Sequence, residues 1–313
     1  MPKVVISEFM DEAAITAELS GFEVLYDPNL VDRPDALAAA LAGADGLIVR
    51  NRTQVRGGLL ASAPDLKVVG RLGVGLDNID VEACRTHGIA VYPATGANDG
   101  AVAEYVVACA MLLLRGAYGA SAAVAAGTWP RNALMGREIA GKRLGLVGFG
   151  AIARETARRA AALGMSITAH DPFLAPQDPA WRPAHGPVEP AALDALIAGS
   201  DVLSLHVPLT EGTRGLIDAE AIARMPRGAV LINAARGGIV DEAAVAAALR
   251  SGHLGGAALD VFAREPLDGQ AGAVFADVPN LILTPHIAGV TQESNVRVSA
   301  VTARAVRRHL TES

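Results

Sequence analysis

The stretch Gly145-Leu-Val-Gly148-Phe-Gly150-Ala-Ile-Ala153-Arg154 decides the fold of this chain of 313 residues. The apolar run Arg143–Val147 leads into it and predicts a β-strand. The alanine-rich run Ala151–Leu163 begins inside it and predicts an α-helix. A strand, a turn with glycines at this spacing and a helix, in that order, are typical of the first βαβ unit of a dinucleotide-binding domain.

Each position of this stretch has a physical task. Gly148 permits a tight turn, Gly150 lets the backbone approach a pyrophosphate at the positive end of the helix, and Ala153 allows the helix to pack closely on the strand. Asp171 follows the next predicted strand, at the distance expected of the acid that binds ribose hydroxyls. A carboxylate there repels the 2′-phosphate of NADP, so the predicted cofactor is NAD.

Short apolar runs alternate with alanine-rich helical patterns on both sides of this stretch. Such alternation predicts parallel sheets joined by right-handed crossovers. The predicted fold class is α/β, with two Rossmann-like, doubly wound parallel-sheet domains and a cleft between them. We expect residues 1–97, completed by a C-terminal helix in 290–313, to be a substrate-binding domain, and residues 98–289 to be the NAD-binding domain.

Composition and charge exclude several classes of partner. Apolar residues make up 51% of the chain and the net charge is −6, and no run of lysine and arginine suggests nucleic acid. The longest apolar stretch, Ala101–Leu114, is too short for a membrane span and contains Glu104. Cys84 and Cys109 form no CxxC pair, so we expect buried free thiols. With no signal-peptide pattern, we expect a cytoplasmic protein with no metal site.

Three polar side chains follow predicted strands further along the chain. Arg236 ends the run from Leu231 and can bind a carboxylate through two hydrogen bonds; Glu265 precedes a proline in the next loop; His286 follows Thr-Pro and can transfer protons. Taken alone, the arginine is better explained as a surface salt bridge, the glutamate as a solvated charge and the histidine as a structural residue. Together, downstream of a dinucleotide-binding turn, they favour an active site.

The motifs VGFGAIA, HDP, HVPLT, INAARGGIVDE, GAALDVFAREP and LTPHIAG occur in this order, after GRLGVGLDNIDVEAC and AVAEYVVACAMLLLR. In this series the chain resembles the D-isomer-specific 2-hydroxyacid dehydrogenases over nearly its whole length. It is similar to the phosphoglycerate dehydrogenase type without that type's C-terminal regulatory domain. The runs VVISEFMD and LIVRNRT are similar to those of sulfolactate dehydrogenases within the family.

The resemblance implies roles for individual residues. It makes His286 the acid/base, Glu265 its hydrogen-bonded carboxylate, Arg236 the arginine that binds the substrate carboxylate, and Asp260 an acid near the nicotinamide carboxamide. Positions that contact the cofactor would be Gly148, Gly150, Ala151, Ile152, Asp171, Val207, Ala234, Ala235, Arg236, Asp260, His286 and Gly289. Positions that contact the substrate would be Arg50, Val74, Gly75, Arg236 and His286, with Arg50 reaching a second anion of the substrate.

The implied substrate is a small anionic 2-hydroxyacid or the matching 2-ketoacid. Formate dehydrogenases of the family carry glutamine where Glu265 stands, which argues against formate. We favour 3-sulfolactate or 3-phosphoglycerate, with glyoxylate or hydroxypyruvate reduction next. The alternatives are an NADH-sensing corepressor of the same fold and another enzyme with a similar cofactor domain. The segment 116–142 matches the family's intersubunit arm, so a homodimer is expected.

Overall fold

The structure is a computed structural model, and it describes residues 1–312. The chain divides into two compact units. Unit 1 consists of Met1–Asn98 together with the segment from Val290 onward, and unit 2 is Asp99–Gly289. The first unit is therefore made from two pieces of sequence, whereas the second is continuous.

Both units are built from strands that alternate with helices. The strands are β1 Lys3–Ile6, β2 Glu23–Tyr26, β3 Gly46–Val49, β4 Val68–Arg71, β5 Ala90–Pro93, β6 Arg143–Val147, β7 Ser166–His170, β8 Glu189–Pro190, β9 Val202–Leu205, β10 Ala229–Asn233, β11 Leu254–Leu259 and β12 Leu281–Leu283. The helices are α1 Glu12–Glu18, α2 Pro34–Leu41, α3 Gly58–Ala61, α4 Val81–Thr86, α5 Asp99–Arg115, α6 Ser121–Ala125, α7 Ala151–Ala162, α8 Leu193–Gly199, α9 Ala219–Arg224, α10 Glu242–Arg250, α11 Gly269–Gly272 and α12 Gln292–Glu312.

Unit 1 contains a five-stranded parallel sheet in the order β2-β1-β3-β4-β5. Its central strands are continuous apolar runs, as expected for a sheet covered on both faces. The C-terminal helix α12 packs against one face. At Gly70 of β4, a Cβ atom would lie 2.7 Å from methyl groups of both Thr302 and Val306, so glycine is required for this close approach.

Unit 2 contains a seven-stranded parallel sheet in the order β12-β11-β10-β9-β6-β7-β8. Helices α5 and α7 bury their apolar residues on one face, and the other face packs against α8, α9 and α10. Strand β6 lies between β7 and β9, so the direction of winding reverses there. In sheets of this kind, ligands bind at the carboxyl ends of the strands where the order reverses. The predicted α/β class with two parallel sheets is confirmed.

The segment from Gly116 to Lys142 contains the short helix α6, which its weak periodicity did not indicate. Cys84 and Cys109 are buried and free, which confirms that prediction. Among residues 1–312, no single helix has the length and hydropathy to cross a membrane. The bent pair Asp99–Arg115 and Tyr118–Ala125 meets that test jointly, by length and composition alone.

Candidate active site

The glycine-rich turn joins the ends of three strands of unit 2. Gly148 has a φ of +87°, and a Cβ there would lie 2.6 Å from the carbonyl oxygen of His206, directly after β9. Its N–H donates to the carbonyl of His170, at the end of β7, over 2.8 Å. Two reasons therefore require glycine at position 148: its positive φ angle and the close approach of the neighbouring strand.

Helix α7 begins beside open space. Apart from Gly150 itself and its chain neighbours, no heavy atom of residues 1–312 is found within 4 Å of the position that a Cβ of Gly150 would occupy. Gly150 is the N-cap of α7, and no side chain hydrogen-bonds there, so the first N–H groups of the helix, at Ala151 and Ile152, meet this space. Ala153 is completely buried, in agreement with its predicted packing role. The turn therefore offers the room and the backbone donors that a dinucleotide pyrophosphate requires.

Asp171 lies next to the same turn. Its carboxylate accepts hydrogen bonds from the N–H of Phe149 over 2.9 Å and from the N–H of Phe173 over 3.0 Å. These two bonds fix the carboxylate at the edge of the turn, and an ionised carboxylate has acceptor capacity beyond two bonds. The residue therefore acts as a turn former and keeps the means to bind ribose hydroxyls.

The loop after β10 positions Arg236. The buried side chain of Asn233 shapes this loop, since it donates to the carbonyl of Arg236 over 2.9 Å and accepts from the N–H of Ala235 over 3.1 Å. A Cβ on Gly237 would lie 1.7 Å from the carbonyl oxygen of Phe262, so this loop touches the loop after β11. Ala234 and Ala235 lie between Asn233 and Arg236, and Val207 directly follows β9, where the winding reverses.

Glu265 and His286 form the central pair of the site. Nδ1 of His286 lies 2.8 Å from Oε2 of Glu265, and both side chains are about one-third exposed, at 37% and 31%. The other oxygen of Glu265 accepts from the N–H of Phe262 over 3.0 Å. Burial raises the pKa of Glu265, but the hydrogen bonds from His286 and Phe262 and the charges of His286 and Arg236 outweigh it, so this pKa lies below its usual value. Arg236 is close enough to Glu265 for its positive charge to lower the pKa of that carboxyl group. Arg236, Glu265 and His286 therefore lie together.

Asp260 directly follows β11 and is surrounded by hydrogen-bond donors of the protein itself. Its carboxylate is 1% exposed and accepts hydrogen bonds from the Thr284 hydroxyl over 2.6 Å and from the N–H groups of Ile287 and Ala288, each over 2.8 Å. Its carbonyl accepts from the N–H of His286 over 2.8 Å. Asp260 therefore organises the loop that carries His286 and ends at Gly289, the last residue of unit 2.

Arg50 is the principal cation of unit 1 at the carboxyl end of β3. Its Nη2 donates to Oδ1 of Asn295 on α12, and its guanidinium lies 5.7 Å from the centre of the Phe9 ring. Its Nε is buried without a hydrogen-bond partner in the protein. Burial lowers the pKa of Arg50, opposed by the charges of Glu8 and Tyr26. A partly desolvated guanidinium is suited to bind an anion.

Glu8 is a buried acid that supports the loop of Arg50 and that no sequence pattern predicted. It is 3% exposed, and its carboxylate accepts the backbone N–H groups of Arg50, Arg52 and Thr53 over 2.9, 3.1 and 3.0 Å. The Glu8 carboxylate thus holds the backbone of the loop after β3, which carries Arg50. No local signal marks it, because its partners lie more than forty residues further along the chain.

Val74 and Gly75 lie in the loop after β4, the strand adjacent to β3. The pairing of Val49 with Arg71 places this loop at the same end of the unit 1 sheet as Arg50. Both residues are partly exposed. Unit 1 therefore brings together its three predicted substrate positions at one edge of its sheet.

Known proteins are similar to this chain in sequence and in fold. The family model described as D-isomer specific 2-hydroxyacid dehydrogenase, NAD binding domain, matches residues 107–288. An (S)-sulfolactate dehydrogenase from Chromohalobacter salexigens is 58% identical over 99% of this chain and 99% of its own length. A D-3-phosphoglycerate dehydrogenase from Mycobacterium leprae is 40% identical over 98% of this chain, which covers 56% of that protein.

Solved structures agree. A D-lactate dehydrogenase from Aquifex aeolicus, complexed with NAD and lactic acid, superposes with a TM-score of 0.83 at 26% identity, covering 99% of this chain and 96% of that one. A glyoxylate reductase from Paecilomyes thermophila gives a TM-score of 0.85 at 29% identity, with the same coverage of both chains. The fold, the turn and these matches define an oxidoreductase with an NAD-binding domain. The chain belongs to the D-isomer-specific 2-hydroxyacid dehydrogenase family.

Proposed function

We propose that the protein transfers hydride between NAD and C2 of a 2-hydroxyacid that carries a second anionic group, with 3-sulfolactate as the favoured substrate. The observation that carries this proposal is Arg50, a partly desolvated guanidinium at the same edge of the sheet as Val74 and Gly75. Unit 1, with Arg50, Val74 and Gly75, is the proposed substrate-binding domain, and unit 2 is the proposed NAD-binding domain.

The proposed chemistry uses the Glu265–His286 pair. An ionised carboxylate only accepts hydrogen bonds, so Nδ1 of His286 carries the proton that Glu265 receives, and Nε2 is left as the reactive atom. During oxidation, Nε2 accepts the proton of the substrate hydroxyl, and Glu265 stabilises the imidazolium that forms. Bound NAD supplies the hydride acceptor. During reduction of the 2-ketoacid, the imidazolium returns the proton to the carbonyl oxygen.

Arg236 binds the substrate carboxylate in this proposal and polarises the carbonyl oxygen on which negative charge develops. Support comes from its placement, because its charge acts on Glu265 and its backbone is held by Asn233. Asp171, the turn from Gly148 to Ile152, Val207, Ala234, Ala235 and Gly289 are the proposed cofactor contacts. For Asp260 we propose that any contact with the nicotinamide carboxamide is additional to its internal hydrogen bonds.

Charge favours a sulfonate over a phosphate as the second anion. Arg52 is exposed and already bonded to Asp32, so it adds little to a site at Arg50. Glu8 lies close enough to act on the charge of Arg50. A sulfonate carries one negative charge, whereas a phosphate monoester carries about 1.5 to 2 at pH 7. The weak positive field around Arg50 therefore suits the sulfonate, and 3-phosphoglycerate is the second candidate.

The test is NADH oxidation with sulfopyruvate, phosphohydroxypyruvate, hydroxypyruvate and glyoxylate at equal ionic strength. One charge-assisted hydrogen bond to the second anion contributes about 1.5–3 kcal/mol, so kcat/KM for sulfopyruvate is expected to exceed that for hydroxypyruvate by about tenfold to a hundredfold. Equal or higher kcat/KM for glyoxylate would refute recognition of a second anion. NADH binding without turnover of any 2-ketoacid would favour the NADH-sensing corepressor.

We also propose that the protein is a homodimer in the cytoplasm. The segment 116–142 exposes several large apolar side chains, which supports a role in subunit contact. These are Tyr118 at 65%, Val124 at 42%, Trp129 at 76% and Met135 at 82% exposure. Light scattering is expected to give twice the chain mass of 32.1 kDa, and a mass of one chain would contradict the dimer.

A further inference from the structure

The backbone of His286 has an unusual conformation. Its φ is +56°, in the left-handed region that residues with a Cβ rarely adopt. Non-glycine residues persist there only when the surrounding structure holds them, and such residues concentrate at functional sites. What holds His286 in place therefore determines where its imidazole points.

Asp260 supplies this restraint. Three successive N–H groups, those of His286, Ile287 and Ala288, all donate to Asp260, the first to its carbonyl oxygen and the other two to its carboxylate. The carboxylate can do so only if its plane is fixed. The Thr284 hydroxyl adds a third bond to the carboxylate, since it donates over 2.6 Å to Oδ1 of Asp260, the oxygen that also accepts from Ile287.

Tyr105, on helix α5, completes the chain of hydrogen bonds. Its hydroxyl lies 2.7 Å from Oγ1 of Thr284. The single proton of the Thr284 hydroxyl goes to Asp260, so Tyr105 is the donor in this contact. Burial raises the pKa of Tyr105, which keeps the phenol protonated and able to donate. Donation to Thr284 strengthens the bond from Thr284 to Asp260, because hydrogen bonds in a chain polarise one another.

We infer that Tyr105 is a positioning residue for the reaction, which acts through Thr284 and Asp260 to hold His286 in its left-handed conformation. The inference rests on the proposed role of His286 in proton transfer. Tyr105 itself contacts neither reactant in this scheme. It anchors the loop of His286 to helix α5, a part of the core that lies far from Glu265 along the sequence.

The variant Tyr105→Phe removes the hydroxyl and keeps the ring. We expect kcat for 2-ketoacid reduction to fall by about tenfold, as for loss of one hydrogen bond that aligns the proton donor. The dissociation constant of NADH and the KM are expected to stay within about twofold, because the bond affects alignment rather than binding. Tyr92→Phe is the matched control, since it removes a hydroxyl that, within residues 1–312, bonds only His309 of unit 1, and it is expected to leave kcat unchanged.

A double-mutant cycle separates this role from a general loss of stability. Thr284→Val is expected to lower kcat, and Tyr105→Phe is expected to have no further effect in that background, because Tyr105 acts through the Thr284 hydroxyl. Thr284→Ser, which keeps the hydroxyl, is expected to retain activity near that of the wild type. Additive losses in the cycle would overturn the inference.

Hydrogen exchange provides a second measurement, independent of turnover. In Tyr105→Phe the N–H groups of residues 286–288 are expected to exchange about tenfold faster, whereas Tyr92→Phe is expected to leave them unchanged. Unchanged exchange and unchanged kcat in Tyr105→Phe would refute the inference. If exchange rises but His286→Ala retains normal turnover, the inferred hydrogen bonds stand as a loop anchor, while the proposed chemistry of His286 fails and with it the catalytic importance of Tyr105.

Discussion

Replacing Arg50 by glutamine tests the substrate proposal at the residue that carries it. The guanidinium is partly desolvated, so water screens its attraction for the second anion of the substrate only weakly. Its Nη atoms carry four N–H donors, one of which bonds Asn295, so the guanidinium can make two charge-assisted hydrogen bonds to a sulfonate. Glutamine keeps one donor and loses the charge, and its shorter side chain leaves Asn295 without its present donor.

The expected magnitude follows from these contacts. Each hydrogen bond to a charged group contributes about 1.5–3 kcal/mol, and glutamine recovers part of one such bond. The net loss for sulfopyruvate is about 3 kcal/mol, or roughly a hundredfold in kcat/KM. Glyoxylate has no second anion, so its kcat/KM is expected to change by less than about threefold.

The assay is NADH oxidation with both substrates, accompanied by thermal unfolding to show that the variant is folded. Arg52→Gln is the matched control, because Arg52 lies two residues away, is exposed and is paired with Asp32. Exposed ion pairs contribute about 0–1 kcal/mol, so this variant is expected to keep both activities within about fivefold. An equal loss on both substrates in Arg50→Gln would refute recognition of the second anion by Arg50.

Two further predictions concern the residues of unit 2. In Glu265→Gln, we expect kcat for reduction to fall by about a hundredfold and to be confined to lower pH, with NADH binding retained, because the imidazolium of His286 loses its charged partner; a wild-type pH profile would contradict this. Burial lowers the pKa of His206 to about 4 from 6.5, so its proton is bound more readily in the unfolded state, and stability is full above pH 6.5 and falls as the pH drops toward 4. Between pH 7.5 and 4.5 this group is expected to lower the unfolding free energy by about 2.5 kcal/mol. Urea unfolding measures this loss, which is expected to be smaller by that amount in His206→Gln; equal pH dependence in both proteins would rule out the assignment.

The parallel sheets could be predicted because their signals are local. Arg143–Val147 and Ser166–His170 are apolar runs with clear boundaries, and both strands have the predicted limits. The glycine pattern then fixes the turn between β6 and α7, because a positive φ at Gly148 excludes other residues. Spacing along the chain contains this information, so no knowledge of distant contacts was required.

The hydrogen bonds that orient the site residues could not be predicted from the sequence. Glu8 holds the loop of Arg50 across more than forty residues, and Tyr105 reaches Thr284 across 179. In the sequence, Tyr105 is one more residue of an apolar helix. Asp260 is an acid at the end of a strand, and no local pattern indicates the four hydrogen bonds that its carboxylate and carbonyl accept. The chemistry-bearing residues are recognisable by type and order, whereas their orientation depends on partners that only the folded chain brings together.

The close seat of α12 on Gly70 has a consequence for biosynthesis. The last helix of unit 1 leaves the ribosome only after all of unit 2 has been made. At a synthesis rate of about 5–20 residues per second, the apolar face around Val4, Ile6 and Ile48 therefore stays exposed for roughly 10–40 s before α12 packs on it. The central segment of the chain can complete its own core during that time. Unit 1 is therefore the first unit to be synthesised and the last to be completed. Nascent chains that stall before α12 are expected to expose its apolar face and to bind chaperones.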